Sequence, residues 1–399
     1  MSYTSAGPVP WPVPPDWSSG VRETLAWLTD VLRSNRTGYT QHRQLRLSPR
    51  RTFTFDVLAE AQARRVADAL LFDRGTKLWA LPIWHDVQRL LNPVAVGATI
   101  IPCRTTGFEF REGGQAMLWR SVNAFEVVTI DAVLGDSLAL LQPLGAAWGG
   151  GTRLYPLRAA RVVDGSQESA WNDVAGKRSV SFEIAEVCDW PAELPASTYL
   201  GFPVLEHRPD EGSDPTASYS RQIEVVDEGS GLPSVFDLAG RAFRSASHRW
   251  LMDGRDEHGA VRSLLYGLAG RAVPLWVPSW AADIKVAATI AADSTVLVVE
   301  WCGYTLFGRQ QAGRRDIRIE LKDGTVFYRR ITGSGEMGEF ESLTIASALG
   351  TTIAPSRIRL VSFMSLCTQT SDELEIEHQT DADGIGVCDL SFMAVTDDL

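Results

Sequence analysis

Apolar side chains recur at every third or fourth position over residues 59–73, where Val66, Ala69 and Leu70 share one face of a stretch rich in helix formers. The spacing predicts a helix that Gly75 ends. Val21, Leu25, Leu28, Val31 and Leu32 follow the same period and predict a short amphipathic helix over 21–32. A third helix is predicted over 259–268, with Val261, Leu264, Leu265 and Tyr266 inside it and Gly270 just beyond. Elsewhere the period falls to two. Phe53, Phe55 and Val57 alternate with polar residues, which predicts strands over 44–47 and 51–58. Further strands are predicted over 95–101, 116–119, 125–133, 137–141 and 153–163, separated by Gly-Gly, Gly-Asp and Gly-Gly-Gly turns. Beyond the third helix, strands are predicted over 286–290, 295–301, 316–322, 326–331, 357–363, 374–378 and 387–395. Residues 372–377 alternate acidic and apolar side chains, the mark of a half-exposed strand.

Two stretches of the chain share an order. Ala69-Leu70-Leu71-Phe72 with Gly75 faces Ser263-Leu264-Leu265-Tyr266 with Gly270, and Leu81-Pro82-Ile83-Trp84 faces Val277-Pro278-Ser279-Trp280. The expected fold class is therefore mainly β with short helices (α+β), in two related halves, each a helix plus a small β-barrel or sandwich. Residues 1–20 hold Pro8, Pro10, Pro12, Pro14 and Pro15 with Trp11 and Trp17, an extended Pro-rich N-terminal arm that could dock on a neighbour. The first half is expected over 21–170 and the second over 219–399. Between them, Pro191, Pro195, Pro203, Pro209 and Pro215 mark 171–218 as a Pro-rich connector. Tryptophans flanking a proline put large rings on a stiff, extended segment, suited to staple a helix onto a barrel or to meet a second subunit. On that ground Trp11, Trp79, Pro82, Trp84, Trp276, Pro278 and Trp280 are the candidate structural or interface residues.

Composition adds limits. At 399 residues the chain exceeds the size at which one core stops growing. Its apolar fraction of 45% and charged fraction of 22% fit a folded, globular protein rather than a disordered one. No apolar run reaches the length of a membrane span, and the first residues lack the pattern of a signal peptide, so synthesis in the cytoplasm is expected. A net charge of −11 disfavours a surface that holds nucleic acid, yet suits a passage through which DNA slides without sticking.

The candidate chemistry is thin. Five cysteines include no Cys-x-x-Cys pair, and Cys367 with Cys388 supply half the usual set for an iron–sulfur cluster. The six histidines have no metal-site spacing and are expected to be solvated or hydrogen-bonded, so no cofactor and no metal are expected. Neither a Walker-type loop nor a nucleophile elbow occurs. Gly333-Ser334-Gly335-Glu336-Met337-Gly338 has dinucleotide-site spacing and precedes a candidate helix over 341–349, but no acidic ribose partner follows, so it reads as a glycine turn. Glu109, Glu126, Glu183, Glu186, Glu336, Glu339 and Glu341 would permit glycosidase chemistry, with no spacing that singles out a pair. Asp381-Ala382-Asp383-Gly384 is too short for a calcium loop. Arg50-Arg51 and Arg314-Arg315 are basic pairs, read as solvated or as bridges to a neighbouring subunit. The expectation is a protein that is not an enzyme.

Trp27-Leu28-Thr29-Asp30-Val31-Leu32, Gly38-Tyr39-Thr40-Gln41-His42-Arg43, Leu45-Arg46, Pro49-Arg50-Arg51 and Phe53-Thr54-Phe55 together resemble minor tail proteins of long-tailed, non-contractile bacteriophages. Asp189-Trp190-Pro191, Tyr199-Leu200-Gly201-Phe202-Pro203-Val204-Leu205, Gly270-Arg271 and Leu275-Trp276-Val277-Pro278-Ser279-Trp280 resemble the same group. The resemblance implies a baseplate or tail-tip component of the distal-tail or hub type, a ring that joins the tail tube to the host-contacting tip and lets DNA pass. It implies a virion protein assembled in the host cytoplasm, with the tail tube, tape measure, hub and tip fibre as partners and no catalytic residue. Similar tail-tip neighbours hold an iron–sulfur cluster through several cysteines, a grouping this chain lacks. Two equivalent halves would let a trimer build a pseudo-sixfold ring, or a hexamer a two-layer ring, with the Pro-rich arm gripping the adjacent subunit. A receptor- or carbohydrate-binding tail module, using Trp119 or Trp148, is the alternative; a cell-wall hydrolase stands behind it.

Overall fold

A computed structural model describes residues 8–74, 77–163, 167–210, 212, 214–309, 311–381 and 384–396. The fold is mainly β. Strands β1 Val9–Pro10, β2 Val21–Ala26, β3 Thr29–Arg33, β4 Thr40–Gln44 and β5 Arg50–Glu60 lead into helix α1, Ala61–Arg74. There follow β6 Trp79–Pro82, β7 Gln88–Arg89, β8 Ile100–Pro102, β9 Gln115–Ser121, β10 Ala124–Val133, β11 Ser137–Leu140, β12 Arg153–Val162, β13 Glu168–Ala170 and β14 Ala175–Ile184. Next, β15 Thr198–Tyr199, β16 Phe202–Pro203, β17 Thr216–Ser220, β18 Ile223–Val226, β19 Ser234–Asp237 and β20 Phe243–Met252 lead into helix α2, Arg255–Leu268. The remainder is β21 Leu275–Pro278, β22 Val296–Glu300, β23 Asp316–Leu321, β24 Val326–Met337, β25 Phe340–Ile345, β26 Ile358–Gln369, β27 Glu373–His378 and β28 Gly386–Ala394.

The pairings define two groups of strands and one bridge. In the first, neighbours run β2–β5–β14–β12–β6, with β1 parallel to β6. From β12 the ladder continues to β9, β10, β11 and β8. In the second, neighbours run β17–β20–β28–β26–β21, and Val204 makes a parallel bridge to Trp276 of β21. From β26 the ladder continues to β23, β24, β25 and β22. β2 is the bridge: it holds β5 on one side and β27 on the other, and β27 passes to β28. The hairpins β3–β4 and β18–β19 form separate two-stranded ribbons.

The first group encloses two apolar clusters, and the second encloses two and a smaller one of Val204, Trp276, Met364 and Leu366. Phe53, Phe55, Val57 and Phe182 pack with Trp11, Trp79 and Ala67 of α1, while Leu118, Ile130, Leu138 and Leu154 fill the β8–β11 lobe. Val261, Leu265 and Leu268 of α2 pack on Trp250, Ile376 and Phe392, while Leu297, Ile317, Ile331 and Leu343 fill the β22–β25 lobe. Alternate residues of β5 are buried, as a strand covered on one face requires. Pro82 and Pro278 each end a four-residue strand, where a missing ladder donor costs least.

Several expectations are corrected. Residues 21–32 form β2 and part of β3, not a helix, because β5 and β27 pair along both edges of β2 and this outweighs the local spacing. The strand expected at 44–47 is β4, Thr40–Gln44, and the one at 95–101 shrinks to Ile100–Pro102. Residues 286–290 contribute isolated bridges at Val286 and Ile290. The helix over 341–349 is replaced by β25; Gly333 and Gly335 lie within β24, and Gly338 makes the hairpin turn at φ 71°. In α1, Ala67 rather than Ala69 is the buried position. The connector begins later than 171, since β14 pairs with β5 along most of its length. The N-terminal arm from residue 8 packs on its own chain, with Val9 and Pro10 beside Trp79 and Ala80. Residues 1–7, Gly75 and residues 382–383 lie outside the described residues. Among the described residues no helix is long and apolar enough to cross a membrane.

Candidate functional site

Charged side chains are folded inside the molecule where β2 joins its two neighbours. The alternation that turns Val21 and Leu25 inward turns Glu23 inward with them, and Glu23 is fully buried. Its Oε1 accepts Nε of Arg51 at 2.7 Å and Nη2 of Arg262 at 2.6 Å, and its Oε2 lies 2.9 Å from Nε2 of His378. Arg51, in phase with Phe53 and Phe55 on β5, forks onto Glu109 through two hydrogen bonds of 2.7 and 2.6 Å. Arg262 adds a 2.9 Å contact to the same carboxylate, and Arg158 of β12 donates to it at 3.2 Å. Asp86, in the 3-10 turn Trp84–Asp86, accepts the backbone N–H of Glu109 at 3.0 Å and pairs with Arg255. Arg255, His258 and Arg262 recur at helical spacing on α2, so one face of that helix supplies three members of the cluster.

Burial and pairing pull these groups in opposite directions. Burial pushes the Glu23 carboxyl up, but Arg262 and Arg51 outweigh it and hold it well below the carboxylate range. Burial likewise raises Glu109, and Arg51, Arg262 and Arg158 bring it well below its ordinary value. Asp86 is raised, because burial and the nearby Glu109 charge exceed the help from Arg255. Such a network adds little net stability over an apolar core of the same shape, yet removing one partner costs about 3–5 kcal/mol because it strands a buried charge. Its members come from β2, β5, β12, the 84–86 turn, the 109 loop, α2 and β27, so it fixes how the two strand groups meet.

Three buried histidines lie against this network. The rings of His85 and His378 stack with centroids 3.6 Å apart and planes within 2°, and His258 lies 5.7 and 5.2 Å from them. Neither ring nitrogen of His85 or His258 has a hydrogen-bond partner. Burial lowers all three below the ordinary histidine value; Glu23 opposes that shift at His378, and the neighbouring rings and arginines reinforce it at His85 and His258. One ligand nitrogen from each ring falls within 4.8 Å of the other two, and His85, Asp86 and Glu109 form a second such group. The expectation of solvated or hydrogen-bonded histidines fails at His85, His248 and His258. No spacing could have revealed the cluster, because its members come from three distant segments.

The sequence-selected residues lie elsewhere. Trp11 meets Trp79 and Phe182 edge-on at 5.7 and 5.4 Å, and Trp84 meets Tyr155 at 4.9 Å, all within one core. Trp276 donates its indole N–H to the Tyr199 carbonyl at 2.8 Å. Pro82 and Pro278 are buried, and Trp280 is half-buried beneath the Arg318 guanidinium, 5.0 Å from the ring centroid. Trp119 and Trp148 are also buried, with indoles donated to the Pro12 carbonyl and Glu126, so neither presents a ring to a glycan. Arg51 is an internal anchor and not a solvated or intersubunit side chain. Cys367 and Cys388 form no disulfide and lie buried in one apolar cluster. At the surface, an open cleft of about 490 Å³ is lined by Tyr219, Phe243, Tyr304, Phe307, Arg314 and Phe363 among others. No protein-family model matches the chain, and no curated protein does.

Proposed function

We propose that the chain is a structural, ring-forming component of a siphophage tail tip, built from an internal duplication, that joins the tail tube to the host-contacting tip and lets DNA pass. The duplication is supported by connectivity. The succession β2, hairpin β3–β4, β5, α1 and β6 is matched in order by β17, hairpin β18–β19, β20, α2 and β21. The ladders β12–β9–β10–β11–β8 and β26–β23–β24–β25–β22 then agree in both chain order and neighbours.

A pair of mismatched edges carries the ring reading. β2 has β5 on one side and β27 on the other, whereas its counterpart β17 pairs with β20 alone among the described residues. The counterpart of β27 is β13, which pairs with β14 alone among them. The contact that β2 makes with β27 inside one chain is thus available between β17 of one copy and β13 of the next. That is a heterologous contact, the kind that propagates around a ring. Three copies would place six halves about the axis, and six copies would stack two such layers. The net charge of −11 suits a lumen that passes DNA without retaining it. The tail location, with the tube, tape measure, hub and tip fibre as partners, rests on the residue strings that resemble phage tail proteins. Light scattering and particle images of the purified chain test the reading: closed rings of three or six copies are expected, and a monomer at high concentration would overturn it.

The aromatic cleft favours a second reading, a receptor- or carbohydrate-binding tail module, since Tyr, Phe and Arg side chains converge on open space there. Glycan binding that disappears in Phe307→Ala, in a chain that forms no ring, would decide for it.

A further inference from the structure

We propose that His85, His258 and His378 form a binding site for one divalent transition-metal cation of the zinc class, at the junction that β2 makes between the two strand groups. The residues arrive from separate places: the 84–86 turn, the inner face of α2 and the end of β27. They converge until one nitrogen from each is within 4.8 Å of the other two. All three are nearly inaccessible to solvent.

Hydrogen bonding points to a ligand. A neutral imidazole carries one donor and one acceptor, and a buried polar atom left without a partner costs about 1–3 kcal/mol. In His85 and His258 neither ring nitrogen has a hydrogen-bond partner, and the nearest carboxylate oxygen to His85 Nε2, Oδ1 of Asp86, is 3.5 Å away, so four buried nitrogens go without hydrogen bonds. Packing alone does not require it, for an apolar side chain would fill the same space. A cation takes up one lone pair from each ring and accounts for nitrogen-bearing side chains at all three positions.

The surroundings match a metal centre in a second respect. His378 is paired through Nε2 with Glu23 at 2.9 Å, and Glu23 is itself held by Arg51 and Arg262. A carboxylate on a ligating imidazole fixes its tautomer and orientation and raises its basicity. Arg51, Arg158, Arg255 and Arg262 oppose a cation but are already paired with Glu23, Asp86 and Glu109, and Asp86 and Glu109 group with His85 within 4.8 Å. Three imidazoles without a thiolate select zinc, cobalt, nickel or copper over magnesium and calcium, which demand oxygen ligands. At a Zn–N distance of about 2.0–2.1 Å, tetrahedral donors lie about 3.4 Å apart. Parallel stacked rings cannot both aim their in-plane lone pairs at one ion, so binding turns His85 and His378 out of their stack as the three donors close up. The bound ion would tie α2 and β27 to the 84–86 turn.

Because the site is closed to solvent, the test begins from the unfolded full-length chain, refolded with either EDTA or Zn²⁺ and passed through gel filtration. One zinc per chain is expected to remain, with a higher denaturation midpoint than the EDTA-refolded sample, as a ligand bound to the native state requires. Cobalt in place of zinc is expected to give visible d–d bands of a four- or five-coordinate site. His258→Gln is expected to weaken retention about a hundredfold or more and to abolish those bands, with the far-ultraviolet circular dichroism of the native chain preserved. Should that variant not fold, X-ray absorption of the zinc-loaded native chain decides. A first shell with imidazole scattering supports the site, and a shell containing sulfur overturns it. Absence of retained zinc, or equal retention by a folded His258→Gln chain, overturns it as well.

Discussion

Glu341 shows how one carboxylate can organise a turn. Its two oxygens accept the backbone N–H groups of Cys302, Tyr304 and Thr305 at 2.9, 3.2 and 2.7 Å, which holds the 302–305 turn beneath the aromatic cleft. Burial raises its pKa, but the N–H donors of Thr305 and Cys302 prevail and bring it down to about 2 from an ordinary 4.5. A depressed carboxylate stabilises the native state above the unfolded value, and that contribution drains away as pH falls from 4.5 through about 2. Glu341→Gln is therefore expected to cost roughly 2–3 kcal/mol near neutral pH, with the gap from wild type closing as pH drops toward 2. Urea unfolding of both chains across that range measures the gap. A difference that stays constant with pH would show that charge is not what holds the turn.

At the scale of elements, legibility followed how cleanly polar and apolar positions separated. β5 was readable because Phe53, Phe55 and Val57 alternate with residues that face outward. β2 was not, since Glu23 holds an apolar-phase position between Val21 and Leu25 and breaks the alternation. Leu28, in the link to β3, with Val31 and Leu32 of β3 then supplies a false helical spacing. The same irregularity is the trace of the buried cluster. Glu23, Arg51 and His378 each stand in the apolar phase of a strand, His378 directly after Leu374 and Ile376 in β27. A charged or imidazole side chain in that phase must find a partner inside, so such residues belong together before any contact is known. What could not be read was which of them meet, because Glu23 and His378 are joined by β2 and β27 pairing across 355 positions. α1 and α2 were located well, whereas the helices expected over 21–32 and 341–349 are strands, and the neighbours of α1 and α2 were not readable. Helical periodicity is local, whereas the choice of β12 for β6 and β26 for β21 is made by the whole sheet.

For the whole molecule, the proposed ring needs surfaces that one chain leaves uncovered, and the β18–β19 hairpin is such a surface. It pairs with no third strand among the described residues, and Val225, Val235 and Phe236 are 58%, 62% and 52% exposed. Exposed apolar side chains on an unpaired two-stranded ribbon are an aggregation hazard unless something covers them. A second copy meets that need where the flanking β17 edge already favours one. Lysine at positions 225, 235 and 236 puts charge on both faces of the ribbon without touching either core. The triple variant, Val225→Lys, Val235→Lys and Phe236→Lys, is expected to unfold within about 0.5–1 kcal/mol of wild type, as exposed sites do. It is also expected to elute and scatter light as a monomer, where rings are expected of the native chain. Rings that persist in the variant would assign assembly to the β17 and β13 edges alone and exclude the hairpin from the ring contact.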